Sequence, residues 1–312
     1  MQEHGVIVVD KPSGMTSARV VSIVKRSLGV KKIGHTGTLD PMATGVLPLC
    51  IGEGTRIAGY LLAEDKYYEG EFLLGSETDT LDREGKITSE NPDAAKLVIE
   101  SQILAEMAKL TGPIEQIPPM FSALKKDGKR LHTLARAGKV VEREPRSIII
   151  HSFELISFAE GRGTFSVHAS KGTYVRSLVF DLGRGLGCGA HLTELRRTKS
   201  GQFDLAMAIP LKKLQESAGN YTLVDPSMAI AHLPHIVVSD DQAQLIADGK
   251  RLLWRDVSDE PEPKEVFAIR TPGGTALLAI AEIDEERLRF RRVFNYGLTR
   301  RVRSSNLPAE IV

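Results

Sequence analysis

The stretch Gly34-His35-Thr36-Gly37-Thr38-Leu39-Asp40-Pro41-Met42-Ala43-Thr44-Gly45-Val46-Leu47-Pro48 restricts the fold of this chain more than any other. Its glycines favour turns and close backbone approach, and Pro41 biases Asp40 away from a helical backbone. Residues 33–45 therefore read as an irregular loop. The loop carries one carboxylate, Asp40, and one imidazole, His35, and an apolar run to Ile51 follows. Asp before Pro favours an Asx-turn, while a carboxylate in a Gly-rich bed also suits a nucleophile or a base. The residues alone leave these roles open.

The flanks are regular. Residues 5–9 are apolar and β-branched, a buried strand, and Lys11-Pro12-Ser13-Gly14 forces a turn after it. Thr16 or Ser17 caps a helix with Val21, Val24 and Leu28 on one face, ending at Gly29. A short helix is expected over 54–63. Residues 66–75 alternate as a strand, with Tyr68, Gly70, Phe72 and Leu74 inward and Tyr67, Glu69 and Glu71 outward. Asp82-Arg83-Glu84-Gly85 reads as a hairpin or loop. Asn91 and Pro92 start a helix whose buried stripe is Ile99, Ile103, Met107 and Leu110. Residues 121–138 are basic and partly helical in pattern. Two strands, 147–158 and 163–169, join across Glu160-Gly161-Arg162. Helices are expected over 173–186 and 191–197. After a boundary near 231–234, Ser239 and Gln242 have capping-box spacing for a helix ending near Gly249. Strands at 265–270, 276–283 and 288–294 then suggest a small β-barrel-like module, with Thr271-Pro272-Gly273-Gly274 turning between the first two.

Composition narrows the function classes. A length of 312 residues suggests two domains at about 100–200 residues each. With 41 Lys+Arg against 40 Asp+Glu, charge-driven disorder is excluded. No apolar run reaches the roughly 18 residues of a membrane helix, and the first residues carry no secretory pattern. Cys50 and Cys188 read as buried free thiols of a cytoplasmic protein. P-loop, Gly-x-Gly-x-x-Gly, His-Glu-x-x-His and Gly-x-Ser-x-Gly patterns are all missing, and the 8 His have no metal-ligand spacing along the chain. No cofactor and no metal are expected. Charge is nevertheless uneven. Residues 125–146 hold eight Lys/Arg against three acids, with His132 among them. Residues 287–303 hold seven Arg and no acid, interleaved with Phe290, Phe294 and Tyr296. Each cluster suits nucleic-acid phosphates or is a solvated face.

The loop 34–48, with Asp10-Lys11-Pro12-Ser13-Gly14-Met15-Thr16-Ser17 before it, resembles the signature of the TruB family. Four further segments match in family order: Asp65-Lys66-Tyr67-Tyr68, Gln116-Ile117-Pro118-Pro119-Met120-Phe121-Ser122-Ala123-Leu124-Lys125, Ser170-Lys171-Gly172-Thr173-Tyr174-Val175-Arg176 and Gly187-Cys188-Gly189-Ala190-His191-Leu192-Thr193-Glu194-Leu195-Arg196-Arg197. The resemblance spans residues 5–203. It implies an α+β fold: a pseudouridine synthase core on a mixed, mainly antiparallel sheet flanked by helices (1–232), and a small C-terminal PUA-like β-barrel domain (233–312).

The resemblance also implies roles. The activity would be isomerisation of uridine 55 in the T loop of tRNA to pseudouridine, by a monomer without cofactor or obligate protein partner. Asp40 would be the nucleophile, with Arg176 paired to it and keeping it ionised. Tyr68 would stack on the target base; its alternation independently points it only inward. Tyr174 would contact the nucleotide, and Leu195 would line the uracil pocket. His35 would sit near the flipped nucleotide, and Lys11 behind the site. Segment 125–139 lies where the family has an RNA-clasping element. Two alternatives are a guide-RNA-dependent synthase with the same core and a non-catalytic RNA-binding folding factor.

Overall fold

The computed structural model describes residues 4–126, 128–216, 221–263 and 265–294. Strand β1 (Gly5–Lys11) is the expected apolar run, buried along almost its whole length. Thr16 caps helix α1 (Ser17–Ser27) by accepting the Arg19 N–H. Val20 and Val24 seal this helix against the sheet, with Val21 and Leu28 packed beside them. Within the expected loop, residues 33–35 form a short strand β2 (Ile33–His35) along β3 (Thr44–Ile51). The helix expected over 54–63 is a 3₁₀ segment, Gly52–Ile57, running into α2 (Ala58–Ala63). Strand β4 (Lys66–Leu74) carries the two tyrosines, and a small hairpin of β5 (Ser76–Thr78) and β6 (Ile87–Glu90) follows.

One expectation fails at the next helix. The helix begun at Asn91 is α3 (Pro92–Lys96); it breaks, and α4 (Glu100–Lys109) starts afresh. Ile99 caps α4 in an extended conformation, its N–H bonded to the Gln102 side chain. It is therefore exposed, while Ile103 and Met107 are buried as expected. Strand β7 (Gly112–Gln116) leads to a small hairpin of β8 (Lys125–Lys126) and β9 (Lys129–Arg130), and then to α5 (Leu131–Arg136). Strands β10 (Arg146–Ala159) and β11 (Arg162–Ala169) pair across the expected turn, and α6 (Val175–Gly185) follows.

The second failure is larger. Residues 191–197 are not a helix but the middle of β12 (Ala190–Ser200). Leu192 and Leu195 have helical spacing, yet β12 pairs with β4 along one edge and β3 along the other. Two ladders of backbone hydrogen bonds override a weak local propensity.

Short strands β13 (Phe203–Asp204) and β14 (Ile209–Pro210), then α7 (Leu211–Glu216) and α8 (Pro226–Ala229), close this region. The main sheet runs β14-β1-β3-β12-β4-β11-β10-β7, with β2 on β3 and β13 on β12. Only the β1/β14 and β3/β12 pairs are parallel, so the sheet is mixed and mainly antiparallel.

Beyond it lie β15 (His235–Val237), α9 (Asp240–Ala247), β16 (Phe267–Arg270), β17 (Leu277–Asp284) and β18 (Arg287–Val293), in the sheet order β15-β16-β17-β18. Ser239 and Gln242 form the expected capping box, and the Gly274 N–H closes the turn onto the Thr271 carbonyl at 2.8 Å. This smaller sheet is not independent of the larger. Val6, Val8, Val46 and Cys50 share one buried cluster with Ala268, Leu277, Ile280 and Phe294. Arg56 Nη1 also donates to the Val293 carbonyl at 2.7 Å. Residues 295–303 of the second basic cluster, Tyr296 among them, lie outside the described residues.

Candidate active site

The Asp40 loop hangs between β2 and β3 and is tied down from two directions. The Ser17 hydroxyl, on the first turn of α1, receives the Leu39 N–H at 2.8 Å and donates to the Leu39 carbonyl at 3.0 Å. From the end of β1, Lys11 Nζ donates to the carbonyls of Pro12 (2.8 Å), Met15 (2.6 Å) and Pro41 (3.1 Å). Lys11 is fully buried, and desolvation pulls its ammonium down to about 8 although the Asp40 charge opposes this. It thus remains charged at neutral pH, and its hydrogens are taken up by main-chain carbonyls. Its geometry is that of a loop clamp, with no face left for substrate.

These ties aim the Asp40 carboxylate at Arg176, on the first turn of α6. Arg176 Nε donates to Oδ2 at 2.8 Å and Nη2 to Oδ1 at 3.0 Å, a bidentate pair. Two further N–H groups donate to the carbonyls of Thr80 (Nη1, 2.7 Å) and Phe121 (Nη2, 2.9 Å). Asp82 Oδ2 lies 3.6 Å from Nε and offers a second negative charge. Asp82 is itself held by the Thr80 hydroxyl (2.6 Å) and the Glu84 N–H (3.0 Å). The Arg176 side chain is 3% exposed and that of Asp40 31%: the cation is sealed, while its anion keeps one open side.

Other expected residues surround this pair. The Tyr174 main chain pairs with the Gln116 side chain, N–H to Oε1 at 2.8 Å and Nε2 to carbonyl at 3.1 Å. Its phenol is pushed up by burial, against a Ser122 hydrogen bond, and further up by the Asp40 charge. Burial, and next the nearby Arg197, push the His35 imidazole down from its ordinary value. Its Nδ1 accepts the Gly37 N–H at 3.3 Å, which leaves the ring hydrogen on Nε2. Tyr68 is half-buried against the main core, on the strand next to β12, and Leu195 is buried on β12 opposite Gly70.

Sequence comparison places this arrangement among known proteins. Residues 25–175 match the TruB family pseudouridylate synthase (N terminal domain), and residues 176–233 match the tRNA pseudouridylate synthase B C-terminal domain. A tRNA pseudouridine synthase B of Symbiobacterium thermophilum is 48% identical over 78% of this chain and 82% of its own. One of Pelotomaculum thermopropionicum is 42% identical over 93% of this chain and 96% of its own. The chain belongs to the TruB family of pseudouridylate synthases. Among solved structures, a Cbf5-Nop10-Gar1 complex superposes with a TM-score of 0.73 at 28% identity, covering 94% of this chain and 85% of the matched one. An H/ACA ribonucleoprotein bound to a substrate RNA containing 2′-deoxyuridine gives 0.71 at 26%, covering 93% and 85%.

Within this TruB-family site, sequence reasoning missed two residues. Asp82 was legible only as part of a hairpin turn, yet it is buried beside Arg176. Arg197 is 1% exposed and joins both ends of the Asp40 loop, donating from Nε to the Val46 carbonyl (2.7 Å) and from Nη2 to the Gly37 carbonyl (3.3 Å). β12 is mostly polar in sequence and Arg196 stands beside Arg197, so nothing marked Arg197 as buried, and the helical reading of 191–197 hid it further.

Gly45 makes the approach of β3 to β12 possible. Its φ is +99°, and a Cβ there would lie 2.2 Å from the Arg197 carbonyl oxygen. Gly45→Ala is expected to destabilise the fold by about 3 kcal/mol, as a strained φ and a backbone clash combine. Urea unfolding checks this; an unchanged midpoint would mean that the strands separate at no cost.

Proposed function

We propose that this chain converts uridine 55 in the T loop of tRNA to pseudouridine, as a cytoplasmic monomer without cofactor. The observation that carries the reading is the half-open Asp40 carboxylate gripped by the sealed Arg176. A fixed anion of this kind adds to the nucleoside while the C1′–N1 bond breaks. The uracil turns, C1′ bonds to C5, the bond to Asp40 breaks and returns its electron pair to the carboxylate, the C5 hydrogen leaves to water as a proton and N1 gains a proton. Such a base is unreachable inside a stack, so it is extruded at a cost of a few kcal/mol. In this reading Tyr68 stacks on the extruded uracil, Leu195 walls its pocket and Tyr174 covers the nucleotide. The His35 ring takes the space the base vacates. Lys11 and Arg197 act only by holding the loop. Residues 1–232 supply the chemistry, and residues 233–312 are a PUA-like module that holds the T arm.

The test is tritium release from C5-labelled uridine in an unmodified tRNA transcript, with no metal, nucleotide or guide RNA added. Release stoichiometric with one site supports a stand-alone synthase. Release only after a guide RNA and partner proteins are supplied favours the guide-dependent reading. Tight binding without release under either condition favours a folding factor.

The accessory role of the smaller sheet needs point substitutions, because deleting it would strip the buried cluster it shares with β1 and β3. Arg287 and Arg292 are exposed on β18. Arg287→Gln with Arg292→Gln is expected to lower the salt slope of tRNA binding by about one to two. The single-turnover rate at saturating enzyme should not change. Filter binding across ionic strengths measures the slope, and an unaltered slope removes β18 from the RNA surface.

A further inference from the structure

The face of the main sheet opposite Tyr68 holds a cluster that the proposed chemistry does not use. Tyr67 and Tyr68 are neighbours on β4 and point to opposite faces. On the Tyr67 side, Asp65 Oδ2 lies 3.0 Å from His151 Nε2 and 3.0 Å from His168 Nε2. The two imidazoles stack with centroids 4.3 Å apart, and Tyr67 stacks on His168 at 3.9 Å and 10°. The three donor atoms lie within 4.8 Å of one another.

The backbone shows how three residues far apart in sequence converge. Asp65 precedes β4, and His168 on β11 is in register with Tyr67. His151 comes from β10, where the pairing with β11 shifts register between Ile150 and Ser152. His151 is the extra residue of that bulge. A β-bulge re-aims a side chain, and this one sets the His151 ring against that of His168.

We propose that Asp65, His151 and His168 form a binding site for a divalent cation of borderline softness, with Zn²⁺ as the test case. Two imidazole nitrogens and one carboxylate oxygen make the mixed donor set that suits zinc and its neighbours rather than magnesium or calcium. The three side chains are 36%, 23% and 40% exposed for His151, His168 and Asp65, so water can complete the coordination sphere. All three stand on or beside paired strands, and the bound ion would pin the α2–β4 connection to the β10–β11 hairpin. The site is separate from the Asp40–Arg176 pair and does not depend on the proposed reaction.

The test uses the full chain, stripped with a chelator, titrated with Zn²⁺ by calorimetry and with Co²⁺ for its visible d–d absorption. One ion per chain is expected, with His151→Ala and His168→Ala each weakening binding by at least about tenfold. His232→Ala, whose ring contacts Glu64 instead, should bind as the wild type does. Zn²⁺ should also raise the melting temperature of the wild type and of His232→Ala, but not of the other two variants. Metal-free melting curves show whether either substitution disturbs the fold. If one does, Asp65→Asn, which keeps the shape and loses the anionic ligand, decides the matter by the same loss of affinity. No binding by the wild type, or equal affinity in the His151, His168 and Asp65 variants, would overturn the proposal.

Discussion

Asp40→Asn is expected to fold, to bind tRNA within a few-fold of the wild type, and to release no tritium. The substitution keeps the shape of the side chain and one oxygen facing Arg176, so the loop ties through Ser17 and Lys11 survive. What disappears is the anion that adds to the nucleoside. The loss in single-turnover rate should be about 10⁴-fold or more, equivalent to about 5 kcal/mol of transition-state stabilisation. Arg176 is then left facing Asp82 alone, 3.6 Å away, so a modest fall in stability accompanies the loss of activity. A variant turning over within tenfold of the wild type would remove Asp40 from the reaction.

Arg176→Lys should be the second most damaging change, although it conserves charge. The guanidinium serves four acceptors at once: both Asp40 oxygens and the carbonyls of Thr80 and Phe121. An ammonium has three donors in no fixed plane and cannot reproduce the fork. At least one buried carbonyl loses its partner, and the Asp40 carboxylate is freed to rotate. The single-turnover rate should drop about 10²–10³-fold, or about 3–4 kcal/mol. Unfolding stability should drop by about 3 kcal/mol, the scale for disrupting a buried ion pair. Because Arg176 acts through Asp40, the affinity for tRNA should hardly move. An equal loss in affinity and rate would mean that Arg176 touches the RNA itself.

The legible and illegible parts of this molecule divide along physical lines. Strands patterned by their own side chains were readable: the alternation over 66–75 separated Tyr68 from Tyr67, and Tyr67 indeed stacks on His168 on the other side. Caps with local chemistry were readable too, as at Thr16, Asn91 and Ser239. Strand β12 was not, because its conformation is imposed by partners on both edges rather than by its own residues. The break before α4 was missed because Ile99 fits a buried stripe by spacing alone, while a side-chain bond from Gln102 holds it extended. At the site, Asp40 stood out as a carboxylate in a glycine-rich loop, but its pairing with Arg176 came only from the family resemblance. No periodicity links residues so far apart. The same limit hid Asp82 at the arginine and the convergence of His151 with His168.

The position of β12 has a consequence for how the chain is made. Strands β3 and β4 are consecutive in sequence, yet β12 is wedged between them. Emerging from the ribosome in order, β3 and β4 cannot become neighbours. β4 keeps one edge unpaired, and β3 the Thr44–Gly45 end beyond its pairing with β2, until Ala190–Ser200 has been synthesised. Open edges of this kind recruit other chains, and late, long-range closure is slow. A nascent fragment ending after α6 already contains both Asp40 and Arg176 but lacks the strand that joins the two halves of the sheet. Insertion of that one strand is therefore the step at which an aggregation-prone intermediate becomes an enzyme.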